Sequence, residues 1–188
     1  MIELIEQAKL LQDFCQRQKW RFCFIGGIAL QRWGEPRLTV DADLSLFSGF
    51  GDEDRFIDPL LTSFRPRIPD AKAFALRTRV VLLESPAGVG FDVALAGLPM
   101  EEEIIGRATP FPFLPHVSLV TCSAEDLFVL KAFANRARDR ADVESIAQRH
   151  RGKLDWAAIL ERLTPLVELK EEPEILDYVN GLRARWER

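Results

Sequence analysis

The segment Arg37-Leu-Thr-Val-Asp-Ala-Asp-Leu-Ser-Leu-Phe47 carries two carboxylates, Asp41 and Asp43, two residues apart in a run with strand-forming character. Alternate residues of a strand share a face, so Thr39, Asp41, Asp43 and Ser45 line one side. Val40, Ala42, Leu44 and Leu46 line the other and are free to be buried. Two carboxylates on one face repel each other unless a cation lies between them or one of them is protonated. Hard oxygen donors of this kind suit Mg²⁺ (or Mn²⁺), which keeps waters and takes phosphate oxygens as its remaining ligands. The plainer alternative is a pair of solvent-facing residues on an edge strand.

Just upstream, the apolar run Phe22 to Ile25 ends at Gly26-Gly27, as a buried strand ends in a tight turn. Ile28 to Trp33 then reads as a short helix, stopped by Gly34 and Pro36. The free N–H groups at the start of such a helix suit phosphate. A glycine turn for phosphates thus stands beside an acidic pair for the metal that accompanies phosphates.

A third acid follows from the alternation farther on. Phe74 to Glu84 reads as a strand, Ser85 to Gly90 as a hairpin loop, and Phe91 to Leu95 as the returning strand. Asp92 faces away from Phe91 and Val93, and a carboxylate inside an otherwise apolar strand needs a reason to be there. If the hairpin pairs beside the Asp41 strand, Asp92 is the third ligand of the same metal; otherwise it is an exposed strand-end residue. Arg77 and Arg79 share a face of the first hairpin strand, within reach of a triphosphate or simply exposed.

The remaining elements position these groups. Residues 3 to 18 form an amphipathic helix with Leu4, Ala8, Leu11 and Cys15 on one stripe, and Asp52 to Phe64 forms another. The two prolines of residues 65–70 fix a loop. Pro99 to Arg107 is helical, the proline-rich run 109–115 is irregular, and Val117 to Thr121 is a short strand. Ser123 and Asp126 match a capping box that starts a helix bearing Leu127, Leu130 and Ala134 inward, with Lys131 beside that stripe. A helix from about Arg138 to His150 turns Asp142 toward the core, where it wants a cation such as Lys131 or Arg136. His150 continues the apolar stripe as a packed histidine. Helices over Asp155 to Leu163 and Glu174 to Arg188 close the chain.

Composition bounds the rest. The 188 residues are 47% hydrophobic and 29% charged, enough for a sizeable core, and no apolar run approaches the roughly 20 residues of a membrane span. Cys15, Cys23 and Cys122 lack metal-ligand spacing and read as buried free thiols of a cytoplasmic protein. The net charge of −4 makes no general case for nucleic acid. Between Lys131 and Lys153, seven basic residues face three acidic ones, either a polyphosphate or RNA contact or a solvated helix face. No phosphate-binding loop of the G-x-x-x-x-G-K type, G-x-G-x-x-G fingerprint or G-x-S-x-G elbow is present.

Two motif blocks stand in order: Gly26-Gly27-x-Ala29-Leu30, Gly34, Arg37-x-Thr39-x-Asp41-x-Asp43 with Asp92, then Lys131-x-x-Ala134 and Arg138-Asp139-x-x-Asp142-Val143. Together they resemble the nucleotidyltransferase superfamily, most closely its AbiEii-like and minimal nucleotidyltransferase branches known from type IV toxin–antitoxin systems. The resemblance implies an α+β fold, a mixed sheet flanked by helices, with a core over residues 1–122 and a C-terminal helical segment over 123–188. It implies transfer of a nucleoside monophosphate from an NTP to a hydroxyl on RNA (tRNA included), protein or a small molecule, with a cognate antitoxin as a partner. In this reading Asp41, Asp43 and Asp92 are catalytic and hold Mg²⁺ or Mn²⁺. Gly26, Gly27, Arg37, Thr39, Lys131 and Asp142 serve the nucleotide, Asp142 by positioning Lys131. Gly27 departs from the many members that carry a phosphate-contacting Ser there. The alternative is an inactive nucleotidyltransferase-fold binding or regulatory module.

Overall fold

The structure, a computed structural model, describes residues 1–187. Its helices are α1 (Ile2–Arg17), α2 (Gly26–Trp33), α3 (Asp54–Ser63), α4 (Ala71–Thr78), α5 (Pro99–Gly106), α6 (Ala124–Ala134), α7 (Ala137–Arg149), α8 (Trp156–Lys170) and α9 (Glu174–Trp186). Its strands are β1 (Phe22–Phe24), β2 (Asp41–Phe47), β3 (Arg65–Pro66), β4 (Val80–Glu84), β5 (Gly90–Ala96), β6 (Thr109–Leu114) and β7 (Val117–Thr121). The strands form one mixed sheet in the order β3-β4-β5-β2-β1-β7-β6, with β2 parallel to β5 and β1 parallel to β7.

Packing divides the chain into two units. Met1–Ile28 and Leu38–Cys122 form the first; Ala29–Arg37 and the chain from Ser123 onward form the second. In the first, strand alternation sends Ala42, Leu44, Phe91 and Val93 to one face of the sheet, where they are fully buried with Leu4, Ala8 and Leu11 of α1. On the opposite face of β2 and β5, Asp41, Asp43, Asp92 and Ala94 stay half-buried. In the second unit, Leu127, Phe128, Val143, Ile146, Ile159 and Val179 are buried, at helical spacing within their elements. Ser123 caps α6, its hydroxyl accepting the Asp126 N–H at 3.0 Å, as the capping pattern predicts.

Several expectations need correction. Residues 71–78 form helix α4, which takes in Phe74 to Thr78 of the expected strand: this stretch is rich in helix formers, and Ala71 and Ala75, one turn apart, are its buried face. Arg79 then takes the left-handed conformation (φ 58°) that ends the helix, so Arg77 and Arg79 share no strand face. The proline-rich run 109–114 is strand β6, at the edge of the sheet, where missing N–H groups are tolerated. Strand β2 begins only at Asp41, and Val40, expected on the buried face, is 66% exposed. Nor is β2 an edge strand, since β1 and β5 flank it.

Candidate functional site

The acidic face is built by register. The β2–β5 pairing sets Asp43 opposite Asp92 and Asp41 opposite Gly90, with Ala42 and Phe91 facing the core. Asp43 and Asp92 therefore neighbour each other across two central strands on the half-open face. Thr39 lies just before the strand, its hydroxyl 3.4 Å from the Asp41 carbonyl oxygen.

The glycine turn abuts this face. The Gly27 N–H, at the start of α2, donates to Asp43 Oδ2 at 3.3 Å, so Asp43 sits where a phosphate was expected. Gly26 has φ +55°, and a Cβ there would fall 2.0 Å from Asp43 Oδ2. A Cβ on Gly27 would fall 2.2 Å from Thr39 Oγ1. The bare backbone of both glycines is what admits the Asp43 carboxylate and the Thr39 side chain.

Arg67, which sequence reasoning missed, completes the group. Its guanidinium forms an ion pair with Asp92 Oδ1. Burial pushes the Asp92 carboxyl above its ordinary value; Arg67 opposes this and the neighbouring charge of Asp41 adds to it. The only sequence signal for Arg67 was a basic residue in a loop between two prolines, too common to carry a role.

Do these residues suit a divalent cation? The donor chemistry does: three carboxylates on one face of adjacent strands, two of them electrostatically felt by each other. Their present arrangement is not closed around an ion, since no group of three or more His, Cys, Asp or Glu is gathered for a metal among the described residues. Asp43 turns to Gly27, and Asp92 turns to Arg67. The donor types are those a hard cation takes, but as placed the three carboxylates do not form a site for one.

The second unit brings together Arg37, Lys131 and Asp142. Arg37 forks onto Asp142, with Nε donating to Oδ1 at 2.8 Å and Nη2 to Oδ2 at 2.9 Å. Lys131 Nζ lies 2.9 Å from Asp142 Oδ2 and 3.0 Å from Asp139 Oδ1, and Arg136 pairs with Asp139. Asp139 and Asp142 are 1% and 4% exposed. Burial pushes both carboxyls up, but hydrogen bonds from Arg136 and Lys131 to Asp139, and from Arg37 and Lys131 to Asp142, bring them below the ordinary 3.8. Asp142 thus has Lys131 as its partner, together with Arg37; Arg136 goes to Asp139.

Helix α7 extends this into a clamp on residues 33–37. Ser145 Oγ accepts the Glu35 N–H at 3.1 Å, Arg149 donates to the Gly34 carbonyl, and His150 Nε2 lies 2.9 Å from the Trp33 carbonyl oxygen. His150 packs edge-on against Trp33, as a core histidine does, and burial lowers its pKa. Asp142, Ser145 and Arg149 recur at helical spacing, a signal the sequence held but only Asp142 revealed.

The mixed sheet with its flanking helices is a fold shared with nucleotidyltransferase-like solved structures. The chain is similar to an antigenic nucleotidyltransferase-like protein from Paracoccidioides brasiliensis, with a TM-score of 0.55 and 17% identity over 95% of this chain and 92% of that one. It is also similar to the antibiotic-resistance factor ANT(2'')-Ia, with a TM-score of 0.53 and 12% identity over 94% of this chain and 96% of that one. No protein-family model matches the chain, and no curated protein matches it in sequence. The mixed sheet flanked by helices that the motifs implied is therefore the fold; the likeness speaks for the fold alone.

Proposed function

We propose that the chain is a nucleotidyltransferase that moves a nucleoside monophosphate from an NTP to an acceptor hydroxyl and releases pyrophosphate. The observation that carries this is the register that sets Asp41, Asp43 and Asp92 on one half-open face of two adjacent parallel strands, beside the Gly26-Gly27 turn. Asp41, Asp43 and Asp92 would hold Mg²⁺ or Mn²⁺, which supplies charge neutralisation of the polyphosphate and of the pyrophosphate leaving group. Asp92, whose environment raises its proton affinity, takes the proton of the acceptor hydroxyl. The hydroxyl oxygen then bonds to the α-phosphorus while the bond to the bridging oxygen of pyrophosphate breaks. In the second unit, Asp142 holds Lys131 and Arg37, the pair read as nucleotide contacts.

Acceptor, partner and setting are part of the same proposal. The acceptor is a hydroxyl on RNA, tRNA included, on a protein or on a small molecule, and the chain acts as the toxin beside a cognate antitoxin. No described helix is long and apolar enough to cross a membrane, and the three cysteines are buried and free, which supports a cytoplasmic setting. The test is incubation with α-labelled NTPs, Mg²⁺ or Mn²⁺, and total RNA and protein extracts. Label should enter an acceptor with the wild-type chain and not with Asp41→Ala, Asp43→Ala or Asp92→Ala, each still folded by circular dichroism. Retained transfer in any of the three refutes the assignment.

Two observations favour a second reading, a binding module on the same fold. Arg67 already neutralises Asp92, and Lys131 is already held between two carboxylates. Such a protein would bind nucleotide without transferring label in the same assay.

A further inference from the structure

We infer that Pro110 and Pro112 close the open edge of the sheet at β6, and that they keep a second copy of this chain from adding a strand there. The inference concerns the β6 edge and holds whether the chain transfers a nucleotide or only binds one.

The backbone of an edge strand is an unfinished ladder, and its outward N–H and C=O groups take up another extended chain unless something prevents it. β6 lies at one end of the strand order, beside β7. Which of its residues face outward follows from β7. The Val120 N–H donates to Gln12 Oε1 at 2.9 Å, and Gln12 Nε2 donates to the Ser118 carbonyl at 2.8 Å. Gln12, on α1, is buried and so fills the other side of β7. Opposed residues of an antiparallel pair either exchange both backbone bonds or turn their backbone groups away from each other. The backbones of Val120 and Ser118 turn to Gln12, so Pro110–Val120 and Pro112–Ser118 are pairs of the second kind. Thr109–Thr121 and Phe111–Leu119, at the alternate positions, are the pairs that join the strands.

The ring nitrogens of Pro110 and Pro112 therefore face the open edge, where a proline offers no N–H. Both residues are exposed. Two successive outward positions present carbonyl acceptors without a donor, and a strand laid against them would leave its own carbonyls unpaired. The register also shifts after Pro112: Leu114 pairs with Val117, which leaves Phe113 as the extra residue. Such a bulge bends the edge out of line with an incoming strand. The opposite edge repeats the device. β3 has two residues, and the Arg67 N–H that follows it donates to the Leu82 carbonyl at 3.1 Å. Pro66, one residue earlier and opposite Leu83, thus turns its nitrogen outward as well. The five strands between these edges contain no proline. Proline stands in this sheet only where its missing N–H faces outward.

The experiment compares the full wild-type chain with Pro110→Thr/Pro112→Thr, which restores both donors, and with Pro115→Thr, in the turn after β6. Sedimentation velocity over a concentration series is expected to show self-association about tenfold or more tighter in the double variant than in the other two, since each copy gains two outward donors. Hydrogen exchange on the dilute double variant reads the orientation. The amides introduced at positions 110 and 112 should exchange as fast as exposed ones and gain protection as the concentration rises. Protection already in the dilute chain means that they face β7 and overturns the geometry. Self-association no tighter than that of the wild type, in a double variant still folded by circular dichroism, overturns the closing role. Should the double variant not fold, Pro112→Thr alone is measured by both methods, with the same outcomes deciding.

Discussion

Gly26 and Gly27 stand next to each other yet answer to different constraints, and substitution separates them. At Gly26 a side chain meets both a left-handed backbone and the Asp43 carboxylate, 2.0 Å from the added Cβ. Gly26→Ala is expected to cost about 2–4 kcal/mol, read from urea unfolding. Gly27 has helical backbone, and only Thr39 obstructs it, with Oγ1 at 2.2 Å and Cβ at 2.7 Å from the added atom. Gly27→Ser is therefore expected to cost about 1–3 kcal/mol alone. Adding Thr39→Gly should return part of that loss, a coupling that a double-mutant cycle measures directly. Thr39 thus occupies the place a serine side chain at position 27 would need. The glycine pair was legible in the sequence; its reason was not, because Asp43 and Thr39 reach it only through the fold.

Helix α7 is the element on which the second unit's polar interior depends. Lys131, Asp139 and Asp142 are buried together, so removing one charge strands the others. Lys131→Met is expected to destabilise by about 3–5 kcal/mol in thermal or urea unfolding, against less than about 0.5 for the exposed Arg138→Ala. The acid side of the stability profile carries two signatures. Burial lowers His150 below 6.5, so the unfolded chain takes up that proton first. The stabilisation is complete above pH 6.5 and lost as pH falls from there through the folded-state value. Asp139 and Asp142 are likewise lowered, from 3.8, so their contribution is complete above pH 3.8 and lost on further acidification. Midpoints measured against pH should show His150→Gln removing the first decline and Asp142→Asn reducing the second.

For the molecule as a whole, the question is whether a ligand that binds only the folded state raises the unfolding midpoint. An NTP with Mg²⁺ at a hundred times its Kd should add about 2.7 kcal/mol, and omission of the metal should remove most of the shift. A shift without label transfer would favour the binding module over the enzyme. The sequence by itself determined the acidic strand face, the glycine turn and the inward turn of Asp142 toward a cation, Lys131 or Arg136, because these rest on spacings local to one element. It also contained enough motif order to imply the mixed sheet. Only the tertiary structure decided that Phe74 to Thr78 is helix and that the prolines at 110 and 112 sit in a strand, since edge position and the burial of Ala71 and Ala75 are set by neighbours distant in the chain. It alone brought Arg67 to Asp92 and Arg37 to Asp142, across 25 and 105 residues of sequence. Charge pairs of that range leave no periodic mark, since which loop arginine meets which carboxylate depends on strand order and helix packing that no window of residues contains.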